Sequence, residues 1–320
     1  MMVHQPHERA ASRRNREQVI ADLRERAAGQ VRAMVTGEDW AAWLRVAARF
    51  PAWSFTNVML VAAQQPTATF LANYEEWQGK GRQVRKGEPG IQVIAEPCPE
   101  FADGGRSEAA YRATRAPREQ VARAPRLVYV WDISQTSGPP APDLAAPPLT
   151  DGGAVPPGLW EALTWLARRE GFAVGRAACV AGDSETRWSA HRIRVSPGLD
   201  PPAAAPVLLH ELGHVLAHAS SGDLPGASTI GCRGIQKVEA DSIACIVATR
   251  LGMDTSIYRW PYVASWAGSD PRARPEETVR AAAERITQAA GVAATHLDAA
   301  LSGVPGQHTP GGQRHVLGFA

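Results

Sequence analysis

Apolar residues recur at helical spacing in the first part of the chain. Four of them, at intervals of four, share one helix face: Val19, Leu23, Ala27 and Val31. This spacing predicts a helix over residues 16–49. Gly37 predicts a break within it, because glycine destabilises a helix interior. A further helix is predicted over residues 56–63.

Two later segments have the pattern of strands. Residues 91–95, Ile-Gln-Val-Ile-Ala, alternate as a half-buried strand does. Residues 127–133, Leu-Val-Tyr-Val-Trp-Asp-Ile, are their natural antiparallel partner. Helices followed by a small antiparallel sheet predict an α+β fold for this half of the chain.

A stretch rich in proline, glycine and alanine separates the two halves, and 320 residues suit two domains. The second half is predicted to contain short strands and several helices, again an α+β domain. The boundaries that we predict are a disordered N-terminus over 1–15, a first domain over 16–136, a linker over 137–157, a second domain over 158–302 and a disordered tail over 303–320.

Composition narrows the class of protein. Hydrophobic residues make up 44% of the chain and charged residues 21%, which is typical of folded domains. The sequence contains no apolar stretch long enough to span a membrane, and its N-terminus lacks the apolar core of a signal peptide. The four cysteines form no C-x-x-C pair. These features predict a cytoplasmic protein with no membrane partner. The net charge of +2 permits a nucleic-acid partner without requiring one.

The second half contains the sequence His210-Glu211-Leu212-Gly213-His214 within an apolar run. On a helix, residues four apart share a face, so both imidazoles point to one place where Zn²⁺ can bind. Glu211 is then placed to accept a proton from a metal-bound water. A buried helix that happens to carry two histidines is the alternative. His218 shares the same face, but three ligands from one straight helix strain zinc geometry, so we interpret it as a supporting residue.

The third ligand is predicted on a later helix, over residues 237–252, whose first turn contains Glu239 and Asp241. Acids there also complement the helix dipole, which is the alternative explanation. A Glu-Ala pair opening the helix after H-E-x-x-H is how a glutamate-type zinc peptidase supplies its third ligand, which favours Glu239. Asp241 would then orient a histidine by accepting its free N–H. Residues 191–195 are interpreted as an edge strand, which either binds an extended peptide or is simply solvated.

Aromatic and basic residues alternate in the first half. Single-strand binders use this combination, because bases stack on aromatic faces and cations contact phosphates. Aromatic residues are also commonly buried, and basic turns are commonly only solvated. The candidates for contacts with single-stranded DNA are Trp77, Lys80, Arg82, Arg85 and Lys86.

Two family resemblances cover most of the chain. Residues 191–252, with H-E-x-G-H followed by Glu239-Ala240, resemble the ImmA/IrrE-type metallopeptidase-like domains, a minimal zincin family. Residues 53–64, 77–88 and 130–136 resemble the N-terminal domain of ArdC antirestriction proteins. The Arg- and Ala-rich residues 98–125 depart from that pattern.

The resemblances imply a single-stranded DNA-binding domain followed by a zinc metallopeptidase domain that hydrolyses a polypeptide, with an antirestriction role. The alternative is a protein that coats and protects single-stranded DNA and has a structural or vestigial zinc site. Glu211 favours catalysis, because a purely structural site has no need of a general base.

Overall fold

The computed structural model describes residues 6–95, 125–140, 153–180, 182–219, 234–261, 263–268 and 273–301. The fold is mixed α+β, with small sheets. The helices are α1 (Pro6–Ala33), α2 (Gly37–Arg49), α3 (Phe55–Gln64), α4 (Tyr74–Gly79), α5 (Leu159–Arg169), α6 (Pro201–His218), α7 (Ile235–Arg250), α8 (Val263–Ala267) and α9 (Pro275–Leu301). The strands are β1 (Leu71–Ala72), β2 (Gln83–Val84), β3 (Ile91–Ala95), β4 (Arg126–Asp132), β5 (Thr136–Ser137), β6 (Ala173–Arg176), β7 (Ser184–Arg187) and β8 (Arg192–Val195).

The chain divides into two compact units. The first comprises the described residues of Met1–Gln30 and Met59–Pro142, and the second those of Val31–Val58 and Asp143–Arg314. The predicted first domain, residues 16–136, includes Val31–Val58, which this division groups with the second half of the chain. Helix α1 begins at Pro6, so residues 6–15 are helical rather than disordered. The predicted tail, the centre of the predicted linker and most of residues 98–125 lie outside the described residues.

In the first unit, β4 lies at the centre of a three-stranded antiparallel sheet, between β1 and β3. The predicted pairing of β3 with β4 is confirmed, with Ile91 opposite Val130. Asp132 is buried at the end of β4, where its carboxylate accepts hydrogen bonds from the backbone N–H groups of Thr69 (2.7 Å) and Phe70 (3.0 Å). These bonds fix the loop before β1 to the sheet.

In the second unit, β8 pairs in parallel with β6 and antiparallel with β7. The prediction that residues 191–195 form an edge strand is therefore wrong, because β8 is the central strand and β7 is an edge. Alternation along β7 gives its residues two different surroundings: Ser184 and Thr186 contact α6, whereas Glu185 binds arginines.

Helix α6 begins at Pro201. The side chain of Asp200 caps it by accepting a hydrogen bond from the N–H of Ala203 (2.9 Å), and prolines occupy its first turn, where no backbone donor is needed.

Among the helices that the structure describes, none has both the length and the apolar character that crossing a membrane requires.

Two glycines permit close helix packing in the second unit. A Cβ at Gly213 of α6 would lie 2.8 Å from the backbone oxygen of Ala240 in α7, so a larger residue there separates the two helices. Gly37, interpreted from the sequence as a helix breaker, is the first residue of α2, and a Cβ there would contact the backbone oxygen of Trp260. The side chain of Thr36 caps the start of α2, and the close approach of the Trp260 backbone explains why position 37 is a glycine.

We expect Gly213→Ala to lower the free energy of unfolding by about 1–3 kcal/mol, because an overpacked core shifts backbone as well as side chains. The control is Gly175→Ala, where an added Cβ meets nothing within 4 Å. Urea denaturation of the two variants measures the difference. Equal stability of both variants would contradict the close contact of α6 with α7.

Candidate functional site

The two histidines of the H-E-x-x-H motif lie on one face of α6. Their ring centroids are 4.8 Å apart, and the rings are nearly perpendicular. His214 is fully buried, and neither of its ring nitrogens has a hydrogen-bond partner among the residues that the structure describes. Burial, together with the nearby His210, His218 and Lys237, holds the pKa of His214 well below its usual range. The imidazole is therefore neutral, which is the form that binds a metal ion.

His210 is oriented by a carboxylate from α7. Its Nδ1 lies 2.7 Å from Oδ1 of Asp241, whose other oxygen accepts a hydrogen bond from Lys237 Nζ at 2.7 Å. Burial acts to raise the pKa of Asp241, but the hydrogen bonds from His210 and Lys237 outweigh it and lower that pKa. The contact leaves Nε2 of His210 as the nitrogen available to a metal, as in carboxylate–histidine–metal arrangements.

Glu211 is buried behind the histidines, and both of its oxygens accept hydrogen bonds from β7. Ser184 Oγ donates to Oε1 and Thr186 Oγ1 donates to Oε2, each at 2.7 Å. The two hydroxyls hold the carboxylate in one orientation. The sequence did not indicate these partners, because they lie 27 and 25 residues before Glu211, on a strand whose register is set by tertiary pairing.

Glu239 is also buried, but a different set of residues surrounds it. Its Oε1 accepts hydrogen bonds from Nε (2.9 Å) and Nη2 (2.6 Å) of Arg285 on α9, and its Oε2 lies 3.4 Å from Nε2 of His218. Burial raises the pKa of Glu239, and the Arg285 guanidinium partly offsets this. Arg285 had no signal in the sequence, because it comes from a helix 46 residues later.

The described residues therefore bring Asp241 to His210 and Glu239 to His218, at positions about two turns apart on α6. Within those same residues, no three His, Cys, Asp or Glu side chains are arranged as a group that could hold a metal ion. The donor types nevertheless fit a divalent ion, since imidazole and carboxylate are common ligands of zinc and manganese. The buried His214 nitrogens are the observation that favours such an ion.

The predicted DNA contacts in the first unit separate into different environments. Trp77 is fully buried and its Nε1 donates to the backbone oxygen of Trp131 at 3.0 Å, so its predicted role in stacking bases is wrong. Arg82 binds the backbone oxygens of Thr136, Gly138 and Pro139, where it fixes the segment after β4. Lys80 lies over the ring of Phe70, 5.5 Å from its centroid.

Arg85 and Lys86 lie in the turn between β2 and β3, beside a cleft of about 630 Å³. Arg85 is paired with Glu88 at 2.6 Å, and Lys86 is exposed. Tyr74 belongs to the same interleaved set of aromatic and basic residues but was not selected as a candidate, and it is 42% exposed whereas Trp77 is buried. The residues that line the cleft are Tyr74, Gln83, Val84, Arg85, Lys86, Glu88, Trp131 and Ser137.

Residues 10–127 match the model of the N-terminal domain of anti-restriction factor ArdC. Two crystal structures of the antirestriction ArdC protein from the R388 plasmid are also similar to the chain. The metal-free structure is 19% identical, with 78% of this chain and 84% of ArdC covered at a TM-score of 0.43. The Mn(II)-bound structure is 18% identical, with coverage of 82% and 98% and a TM-score of 0.41. No curated protein matches the sequence.

Proposed function

We propose that the second unit is a metal-dependent peptidase, with Zn²⁺ bound by His210, His214 and Glu239 and with Glu211 as the general base. The observation that carries the proposal is His214, a buried, neutral imidazole one turn from a second histidine, whose two nitrogens have no hydrogen-bond partner in the described part of the chain. An unpaired buried polar group destabilises the fold, and a metal ion would satisfy it.

The surrounding residues have separate roles in this proposal. A bound divalent ion would supply an activated water and polarise the substrate carbonyl. Asp241 orients His210, and Arg285 fixes one oxygen of Glu239. Glu211 accepts the proton of that water and passes it to the leaving amine. The hydroxyls of Ser184 and Thr186 hold the Glu211 carboxylate in place.

The edge strand β7 is the place where a polypeptide substrate would bind. An extended chain can add to an exposed strand edge through backbone hydrogen bonds. Residues of β7 contact Glu211 directly, so a peptide paired with this strand passes close to the proposed base. The proposed substrate contact therefore lies at β7, and not at β8, which is the central strand.

For the first unit we propose binding of single-stranded DNA, in support of an antirestriction role like that of the ArdC protein. The match of residues 10–127 supports this proposal. The exposed Tyr74 and Lys86, both on one cleft, add the aromatic surface and the cation that single-strand binding uses.

The second candidate function is a protein that protects single-stranded DNA without catalysis. The observation that favours it is the absence, among the described residues, of a complete three-ligand group. The full chain, stripped of metal and then given Zn²⁺ or Mn²⁺, separates the candidates. Hydrolysis of fluorescein-labelled casein only with metal supports the peptidase, and stoichiometric metal without hydrolysis supports the protective protein.

A further inference from the structure

The first unit contains a cleft that the metal chemistry does not use. Its volume of about 630 Å³ lies in the range of small-ligand sites. The segments that form it are the start of α4, strand β2 with the turn that follows it, and the ends of β4 and β5. Aromatic, cationic and hydrogen-bonding side chains meet in it.

The aromatic part of the cleft is rigid. Tyr74 is the first residue of α4, and its ring lies 6.4 Å from the ring of Trp131 in an edge-to-face arrangement. Trp131 is itself fixed, because its Nε1 donates to the backbone oxygen of Glu88 at 3.2 Å. Tyr74 remains 42% exposed, so a planar ligand can stack on a ring whose position is already set.

In the described part of the chain two cations line the cleft, and one of them, Arg85, is engaged by a carboxylate. Arg85 binds Glu88 Oε1 through two nitrogens, at 3.1 and 2.6 Å, and its Nη1 lies 3.3 Å from the backbone oxygen of Thr136. Lys86 is exposed on the same cleft. An ammonium beside an aromatic ring can bind a phosphate while the ring stacks with a base.

We propose that this cleft binds one nucleotide of a DNA single strand, with its base stacked on Tyr74 and its phosphate beside Lys86. The amide of Gln83 and the hydroxyl of Ser137 line the same cleft and supply hydrogen bonds to the base or the sugar. Duplex DNA does not fit this site, because its bases are already stacked and paired. The proposal rests on the proposed binding of single-stranded DNA by the first unit.

The test measures binding of a fluorescent oligothymidine to the full chain by anisotropy. Tyr74→Ala is expected to weaken binding about 5- to 150-fold, the range for loss of one stacked base. Tyr74→Phe, which keeps the ring, is expected to restore it. The matched control is Tyr129→Ala, since Tyr129 is 44% exposed on the same unit and does not line the cleft. That variant should bind as the wild type does.

A second readout concerns the phosphate. Lys86→Gln is expected to reduce the dependence of affinity on salt by about one phosphate contact, because fewer counterions are released. Arg26→Gln removes the same charge from an exposed residue of α1 and should leave that dependence unchanged. Photocrosslinking of the wild-type chain to an oligonucleotide that carries 5-iodouracil should label the peptide containing Tyr74. This experiment does not use the Tyr74→Ala variant, so it tests the site even if that variant does not fold.

The possible outcomes distinguish a failure of the cleft as the binding site from a failure of single-stranded DNA binding by the protein. If the wild-type chain binds no single-stranded DNA at low salt, the proposed DNA binding itself fails. If it binds, but Tyr74→Ala and Tyr129→Ala behave alike and the crosslink maps elsewhere, the cleft is wrong and DNA binding stands. An equal loss of duplex binding in Tyr74→Ala would also overturn base stacking in the cleft.

Discussion

Replacing His214 by alanine is expected to remove the divalent ion from the second unit, and replacing His210 should do the same. The imidazoles lie on one face of α6, and within the described ranges no hydrogen-bond partner reaches the nitrogens of His214. Elemental analysis after gel filtration should find about one equivalent of zinc in the wild type and almost none in either variant.

Glu211→Gln should give the opposite combination, with full metal content and a loss of hydrolysis of about 10²- to 10⁴-fold. The amide matches the carboxylate in size and can still accept one of the hydroxyl bonds from Ser184 and Thr186, but it cannot take up a proton. Casein hydrolysis by the metal-loaded variant measures the effect.

A histidine outside the site provides the control for these variants. His296 packs its ring against Trp165, and His296→Ala should keep both metal and activity. Full metal content in both motif variants would show that the ion binds elsewhere. Unchanged hydrolysis in Glu211→Gln would remove Glu211 as the base, whatever the metal content.

The helical part of the site was predictable, because a helix places residues four apart on one face. The sequence therefore indicated His210 and His214, and it also placed Asp241 as the acceptor that orients a histidine, which agrees with its contact to His210. The partners of Glu211 were not predictable. Ser184 and Thr186 reach it only because β7 pairs with β8 in one register, and a shift of one residue would turn both hydroxyls away.

The first domain shows why composition alone misplaces a binding surface. Trp77 and Tyr74 are three residues apart on the same short helix, yet one is fully buried and the other is 42% exposed. The pattern of aromatic and basic residues contains both and does not tell which ring faces solvent. That depends on the sheet against which α4 packs, where Trp77 donates a hydrogen bond to Trp131.

The packing partner of α2 was not predictable for a similar reason. Helix α2 has an apolar face that the sequence shows clearly, but the sequence does not tell which core that face joins. In the structure Trp40 donates through Nε1 to Ser242 Oγ on α7, at 2.9 Å and across 202 residues. A contact between residues so far apart in the sequence has no signal in the local pattern of apolar residues. A division of the chain at its linker therefore places α2 with the first half, whereas in the structure α2 packs with the second.

The second large expected effect concerns which acid of α7, Glu239 or Asp241, is the third metal ligand. Glu239→Ala is expected to weaken metal binding more than about 100-fold, whereas Asp241→Ala should weaken it by about 10- to 100-fold, as loss of a partner that only orients a ligand does. Arg285 occupies Oε1 of Glu239, and Oε2, which lies 3.4 Å from Nε2 of His218, is the oxygen that would coordinate the ion. Both oxygens of Asp241 are already engaged, by His210 and by Lys237. Competition with a chelator of known affinity measures both constants.

Two further variants make this comparison decisive. Lys237→Met removes a contact of Asp241 without touching a proposed ligand, and it should change affinity little. Glu239→Gln keeps the size of the buried side chain and an acceptor for Arg285, so a fall in affinity there reflects a lost ligand rather than an unfolded helix. If Asp241→Ala proves the more damaging change, Asp241 is the third ligand, and the buried Glu239 with Arg285 and His218 is an ion cluster that stabilises the packing of α6, α7 and α9.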